Sequence, residues 1–175
     1  MPAHILVVGG TGMLSELVEA LAGDGGRLSL LSRQASQVFG EAGFDCDYHD
    51  PNAFAAALAA AVERSGPVDL AVAWFHTLKI AAPRLLAQQV RGRLFQVLGS
   101  ATADPAHPDR LARAAAVADG LADCRLRQVV LGFRVVDGAS RWLTNTEISR
   151  GVLDAVVKDR PLTIVGQVDP WAARP

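Results

Sequence analysis

Three groups of residues have the types and spacing to do chemistry. The first is Gly9-Gly10-Thr11-Gly12-Met13, set between an apolar run at residues 5–8 and a stretch with apolar residues at Leu14, Leu17, Val18 and Leu21. That second spacing (i, i+3, i+4, i+7) is one face of a helix. Glycines there let the chain turn tightly and approach a ligand, and the helix start behind them offers free N–H groups and the positive end of its dipole; a pyrophosphate fits such a turn. The second group is Ser32 and Arg33, a hydroxyl and a guanidinium able to hold a phosphate. The third is His76 and Ser100, each just beyond an apolar run, at residues 68–75 and 93–98. An unperturbed histidine, with a pKa of ~6.5, passes a proton at neutral pH, whereas a serine hydroxyl orients a carbonyl by hydrogen bonding. Each also has a plain structural reading, His76 as a hydrogen-bonding strand end and Ser100 as a turn serine.

Positioning these groups requires strands that end together. Strands are expected at residues 5–8, 27–31, 44–48, 68–75, 93–98, 128–136 (interrupted at Gly132) and 162–165. Helices are expected after the first turn, from Asp50-Pro51 with Phe54, Leu58, Ala61 and Val62 on the buried face, and at 82–90. An alanine-rich helix at 109–123 follows, packing through Leu111, Ala115, Ala118 and Leu121. The last helix opens with the capping box Thr144-Asn-Thr-Glu147 and buries Ile148, Val152, Ala155 and Val156. Residues 34–43 have room only for a short helix or turn. Alternation of this kind predicts an α/β fold, a doubly wound parallel sheet (Rossmann fold) of about seven strands ordered 3-2-1-4-5-6-7, with helices on both faces. In such a sheet ligands lie across the carboxyl ends of the strands, which brings His76 and Ser100 to one side.

Composition narrows the function classes. The chain has 175 residues, half of them apolar, and a net charge of −1, enough for one domain over 1–175. With pI near 6.4 and scattered basic residues, nucleic acid is not an expected partner. Arg125 and Arg127 read as a solvated helix end. No apolar stretch reaches the ~20 residues of a membrane span, and the N-terminus enters a strand directly with no leader pattern, so no membrane association and a cytoplasmic location are expected. Cys46 and Cys124 lack the paired spacing of a metal site and read as buried thiols; no metal is expected.

The stretch Val7-Val8-Gly9-Gly10-Thr11-Gly12-Met13-Leu14-Ser15 resembles the Gly-x-x-Gly-x-x-Gly turn of the short-chain dehydrogenase/reductase superfamily, in its extended and atypical branches. Gly9 and Gly12 take the first two glycine places, and Ser15, small enough to keep most of the helix–strand packing, takes the third. The resemblance implies a nicotinamide dinucleotide. Sites for NAD hold the ribose 2′-hydroxyl with an acid ~20 residues past the glycines, and sites for NADP offer arginine to the 2′-phosphate. Here that place holds Ser32 and Arg33, and the first acid afterwards is Glu41; NADP(H) is expected over NAD(H).

The same resemblance implies that Asp47, or alternatively Asp50, holds the adenine amino group with the backbone of Tyr48 alongside. It also implies that Gly99 and Ser100 occupy the active-site serine region and that Phe133 lies against the nicotinamide. The family's Asn-Asn-Ala-Gly turn is replaced by Trp74, Phe75, His76 and Thr77, so Trp74 and His76 give the cofactor a different neighbour. The family's Tyr-x-x-x-Lys pair is missing. Counted from Ser100, its places fall at Arg113 and Val117, and the only tyrosine is Tyr48. Two functions follow as expectations: an oxidoreductase acting on a small carbonyl or alcohol with non-standard residues, His76 as acid and Ser100 as orienter, or a catalytically inactive NADP(H)-binding sensor or regulatory protein. A homodimer through the helices at 82–90 and 109–123 is the expected assembly.

Overall fold

Apolar strands alternating with amphipathic helices build the frame, and the computed structural model describes it over residues 2–23 and 25–175. Strand β1 (His4–Val8) is buried on both faces, as the middle of a parallel sheet must be. Around it run β2 (Arg27–Ser32), β3 (Gly43–Asp45), β4 (Val68–Trp74), β5 (Val90–Gly99), β6 (Arg125–Leu131) and, beyond a hairpin of β7 (Phe133–Val136) and β8 (Ala139–Trp142), β9 (Leu162–Val165). The sheet has seven strands in the order β3-β2-β1-β4-β5-β6-β9, every pairing parallel. This is the expected doubly wound order.

Two cores cover the sheet. On one face α1 (Ser15–Ala22) and α6 (Asn145–Lys158) pack Leu17, Val18, Val152 and Ala155 against Val7, Val72 and Val97. On the other, α3 (Pro51–Ser65) and α4 (Ala82–Gln89) pack Phe54, Leu58 and Leu86 against Leu6, Ala71 and Leu94. The caps read from sequence are present. Asp50 accepts from the backbone N–H groups of Asn52 and Ala53 at the start of α3, and Thr144 and Glu147 form the reciprocal box that starts α6.

Four expectations are corrected. The helix expected at 109–123 is α5 (Arg110–Ala115) followed by a 3-10 turn, Ala116–Ala118. Arg84 of α4 explains the break: its Nη1 donates to the carbonyls of Val117 at 2.9 Å and Asp119 at 2.8 Å, oxygens that a continuing helix would have used. Arg125 and Arg127 begin β6 instead of ending a helix, and Arg127 Nε reaches Asp159 Oδ1 at 2.9 Å. The third strand stops at Asp45, whose carboxylate takes the N–H of Ser36 at 2.8 Å and its hydroxyl at 2.5 Å, tying the strand end back to the start of the preceding short helix α2 (Ala35–Phe39). Residues 133–136 leave the sheet for the hairpin. At Gly132 the carbonyl of Gln167 lies 2.0 Å from where a Cβ would stand, so only glycine permits the crossing that redirects the strand.

The hairpin is tied to α6 by Glu147. Its carboxylate takes Arg141 at 2.8 and 3.0 Å and Arg134 at 2.8 Å, and it caps Thr144. Together, the Arg141 hydrogen bonds first and the Thr144 N–H next, these hold its pKa at about 2. Cys46 and Cys124 are buried free thiols. Among the described residues no helix is long and apolar enough to cross a membrane, and no cluster of three His, Cys, Asp or Glu side chains is placed to hold a metal.

Candidate functional site

The glycine turn is shaped by three glycines doing different things. Gly9 has φ of +79°, and a Cβ there would stand 3.0 Å from the carbonyl oxygen of Trp74, so the first place needs glycine for both conformation and space. Gly10 is buried; a Cβ would lie 2.7 Å from Leu30 and 2.8 Å from Val18. The close helix–strand approach that the family pattern assigns to the third place, here Ser15, is thus met at Gly10. Gly12 is exposed, and nothing lies within 4 Å of its Cβ position. No protein contact requires glycine there. The open space faces a cleft.

That cleft, of about 680 Å³, runs along the carboxyl ends of β1, β2 and β4. Its floor is the turn, Gly9, Thr11, Gly12 and Met13. Ser32 and Arg33 line it at the end of β2, Asp47 and Tyr48 beyond β3, and Trp74 and His76 at and beyond the end of β4. Ser32 Oγ is the one buried side-chain oxygen or nitrogen among the described residues without a hydrogen-bond partner. An unmet hydroxyl costs about 1–3 kcal/mol, so it invites a ligand atom or water. Arg33 is exposed beside it. The first-turn acid of α1, Glu16, does not line the cleft; its carboxylate accepts from Thr146 of α6.

Asp47 lines the cleft and accepts from the backbone N–H of His49 at 2.9 Å and from its ring at 3.0 Å, which together lower its pKa, the backbone bond most. Asp50 is spent on the α3 cap, which leaves Asp47 as the aspartate facing the cleft. Tyr48, the only tyrosine, packs edge-on against Phe75 and receives the backbone N–H of His76 on its hydroxyl at 3.4 Å. The His76 ring is exposed and stands 5.6 Å from the Trp74 ring, edge to face.

Beyond Trp74 lies a second cavity of about 190 Å³, lined by Trp74, Gly99, Ser100, Gly132 and Trp142 together with aliphatic side chains. Ser100 is 5% exposed, and its hydroxyl accepts from Arg174 Nε at 2.9 Å. His76 and Ser100 therefore end adjacent strands, as expected, but line different cavities, with the Trp74 indole common to both. Phe133 is a correction. Its side chain is wholly buried in the interior, while its backbone exchanges hydrogen bonds with Gln167 at 2.9 Å, so it presents no surface to either cavity. Gly10 likewise packs and lines neither.

Four residues escaped the sequence reading. Gln34 and His49 line the cleft and each directly follows a residue already singled out, so strand-end neighbours were the available signal. Trp142 lines the second cavity from the hairpin and Arg174 of the tail bonds to Ser100 at its margin, and nothing in their local sequence marks them.

A seven-stranded parallel sheet in this order, with a glycine turn after β1 and a cleft across the strand ends, matches solved structures over nearly the whole chain. This is the fold of the short-chain dehydrogenases/reductases. A metagenomic short-chain oxidoreductase in complex with NADP aligns with TM-score 0.60 and 18% identity, covering 94% of this chain and 96% of that one. A short-chain dehydrogenase/reductase variant from Serratia marcescens aligns with TM-score 0.66 and 16% identity over 93% and 95%. A variant of the actinorhodin polyketide ketoreductase with NADPH gives TM-score 0.61 and 16% identity over 94% and 96%. No family model matches the sequence, and no curated protein matches it significantly.

Proposed function

We propose that the whole chain is an NADP(H)-binding unit and that it reduces a small carbonyl compound, or oxidises the matching alcohol, at the ends of β4 and β5. The observation that carries this reading is the unpartnered hydroxyl of Ser32 beside the exposed Arg33, at the end of a cleft floored by the open Gly12 position. Those residues fit a phosphorylated dinucleotide. The backbone of Gly9–Met13 would hold the pyrophosphate, Ser32 and Arg33 the 2′-phosphate, Asp47 and Tyr48 the adenine, and Trp74 the nicotinamide end, while Gly99 lines the second cavity beyond it. A bound nicotinamide supplies or takes up a hydride.

This chain's residues would handle the oxygen and the proton. Reduction adds one hydride to the carbonyl carbon and one proton to the oxygen. Ser100 orients that oxygen with a hydrogen bond, and His76, open to solvent on the other side of Trp74, delivers the proton, which requires the indole that separates their two cavities to turn aside. Screening small carbonyl compounds for NADPH oxidation tests the reading. His76→Ala should lower turnover by about 10²–10⁴ with NADPH affinity kept, and full activity in that variant contradicts the role. The missing Tyr-x-x-x-Lys pair supports a second reading, a non-catalytic NADP(H) sensor, which tight NADPH binding with no turnover across the screen would favour. The reading includes a homodimer through the α4 and α5 surface, contradicted if light scattering finds only monomer at tens of micromolar.

A further inference from the structure

The guanidinium of Arg174 stands against two indoles, 4.9 Å from the ring centre of Trp142 and 5.2 Å from that of Trp171. Its Nε–H is spent on Ser100. Glu147, the acid of the hairpin, is already taken by Arg134 and Arg141, and no acidic side chain among the described residues pairs with Arg174. Of the five N–H donors of this guanidinium, the four on Nη1 and Nη2 have no partner among the described residues. That is the fork that binds a carboxylate with two parallel bonds.

Ser100 is constrained by the same contact. An oxygen that accepts from Arg174 turns its own proton elsewhere, and its other neighbour is the second cavity. The cavity thus offers a hydroxyl donor whose oxygen is held by Arg174, an exposed cation at the cavity's margin and outside its own lining. Its remaining wall is largely apolar, formed by Leu131, Leu143 and Ile148. At about 190 Å³ it has room for about six non-hydrogen atoms at the ~30 Å³ a water takes in the liquid. Two donors in mutual hydrogen-bond contact select two acceptors on neighbouring atoms.

We propose that Arg174 and Ser100 form the recognition site for a short-chain 2-oxo acid or its 2-hydroxy counterpart, Arg174 taking the carboxylate, Ser100 the adjacent oxygen and the aliphatic wall the alkyl chain. This deepens the oxidoreductase reading and rests on it for turnover, though not for binding. Arg174, set against Trp142 and Trp171 and bonded to Ser100 just past the end of β5, is then the specificity-determining residue.

Calorimetric titration of the full chain with 2-oxobutanoate and with butan-2-one, which lacks the carboxylate, tests it, each with and without NADP⁺. The parent protein should bind 2-oxobutanoate at least about tenfold more tightly than butan-2-one. Arg174→Ala should remove that difference while leaving NADP⁺ binding as it was, and Arg174→Lys should restore only part of it, since an ammonium is not a fork. Equal binding of 2-oxobutanoate by the parent and Arg174→Ala overturns the proposal, as does no binding by the parent at millimolar concentration. Failure of NADP⁺ to bind contradicts the cofactor reading instead, and the cofactor-free titration still decides Arg174.

Discussion

Ser149 of α6 donates its hydroxyl to the carbonyl oxygen of Met13 at 2.9 Å, joining the last helix to the glycine-rich turn across 136 residues. The turn is therefore held from the far end of the chain. Ser149→Ala removes one buried hydrogen bond and leaves the carbonyl short of a partner, which should cost about 1 kcal/mol of stability. Because the loosened segment is the proposed pyrophosphate cradle, NADPH affinity should fall several-fold as well. Thermal unfolding and calorimetry on the same variant check both, and an unchanged affinity would show that the turn holds its shape unaided.

Gly10 and Gly12 should respond oppositely to alanine. At Gly10 the added methyl meets Leu30 and Val18 below 3 Å, so Gly10→Ala should destabilise by about 1–3 kcal/mol through overpacking. At Gly12 the methyl enters open space, so Gly12→Ala should leave the melting temperature nearly unchanged and weaken dinucleotide binding by filling the cradle. Parallel melting curves and NADPH titrations separate the two. A large stability loss at Gly12 would contradict its assignment to ligand approach.

His4 gives the fold an acid-side weakness. Buried at the start of β1, its Nδ1 faces the carbonyl of Gly66 at 2.7 Å and must carry the proton, so Nε2 accepts from Ser29 at 2.9 Å. Burial lowers its pKa below the ordinary 6.5, only partly opposed by the Gly66 carbonyl. Below 6.5 the unfolded chain binds a proton that the folded chain resists, so this stability is complete above pH 6.5 and drains as pH falls through the folded value. Melting temperature measured from pH 8 to 5 should drop across that window. His4→Gln should flatten the drop, and an equally steep profile in that variant would assign it to other groups.

Much of the frame was legible because local pattern and global fold agree. The change from an apolar run to Leu14, Leu17, Val18 and Leu21 located the first turn, Asp50 and Thr144 announced their helices, and uninterrupted apolar runs marked the central strands. What was not legible depends on distant partners. Arg84 breaks the alanine-rich segment by taking its carbonyls, Gln167 forces the chain out of the sheet at Gly132 and so buries Phe133, and Arg174 meets Ser100 across 74 residues. None of those contacts leaves a periodic trace. Trp74 was singled out, but only the packing shows it standing between His76 and Ser100.

If the cleft between the glycine turn and Arg33 takes a phosphorylated dinucleotide, titration of the parent chain with NADPH and NADH, repeated on Arg33→Ala, will show it. A charged hydrogen bond of about 1.5–3 kcal/mol should make NADPH bind roughly tenfold to a hundredfold more tightly than NADH. Arg33→Ala should erase that difference while leaving NADH binding as it was. Equal affinities in the parent, or no binding of either cofactor, would contradict a phosphate site at Ser32 and Arg33.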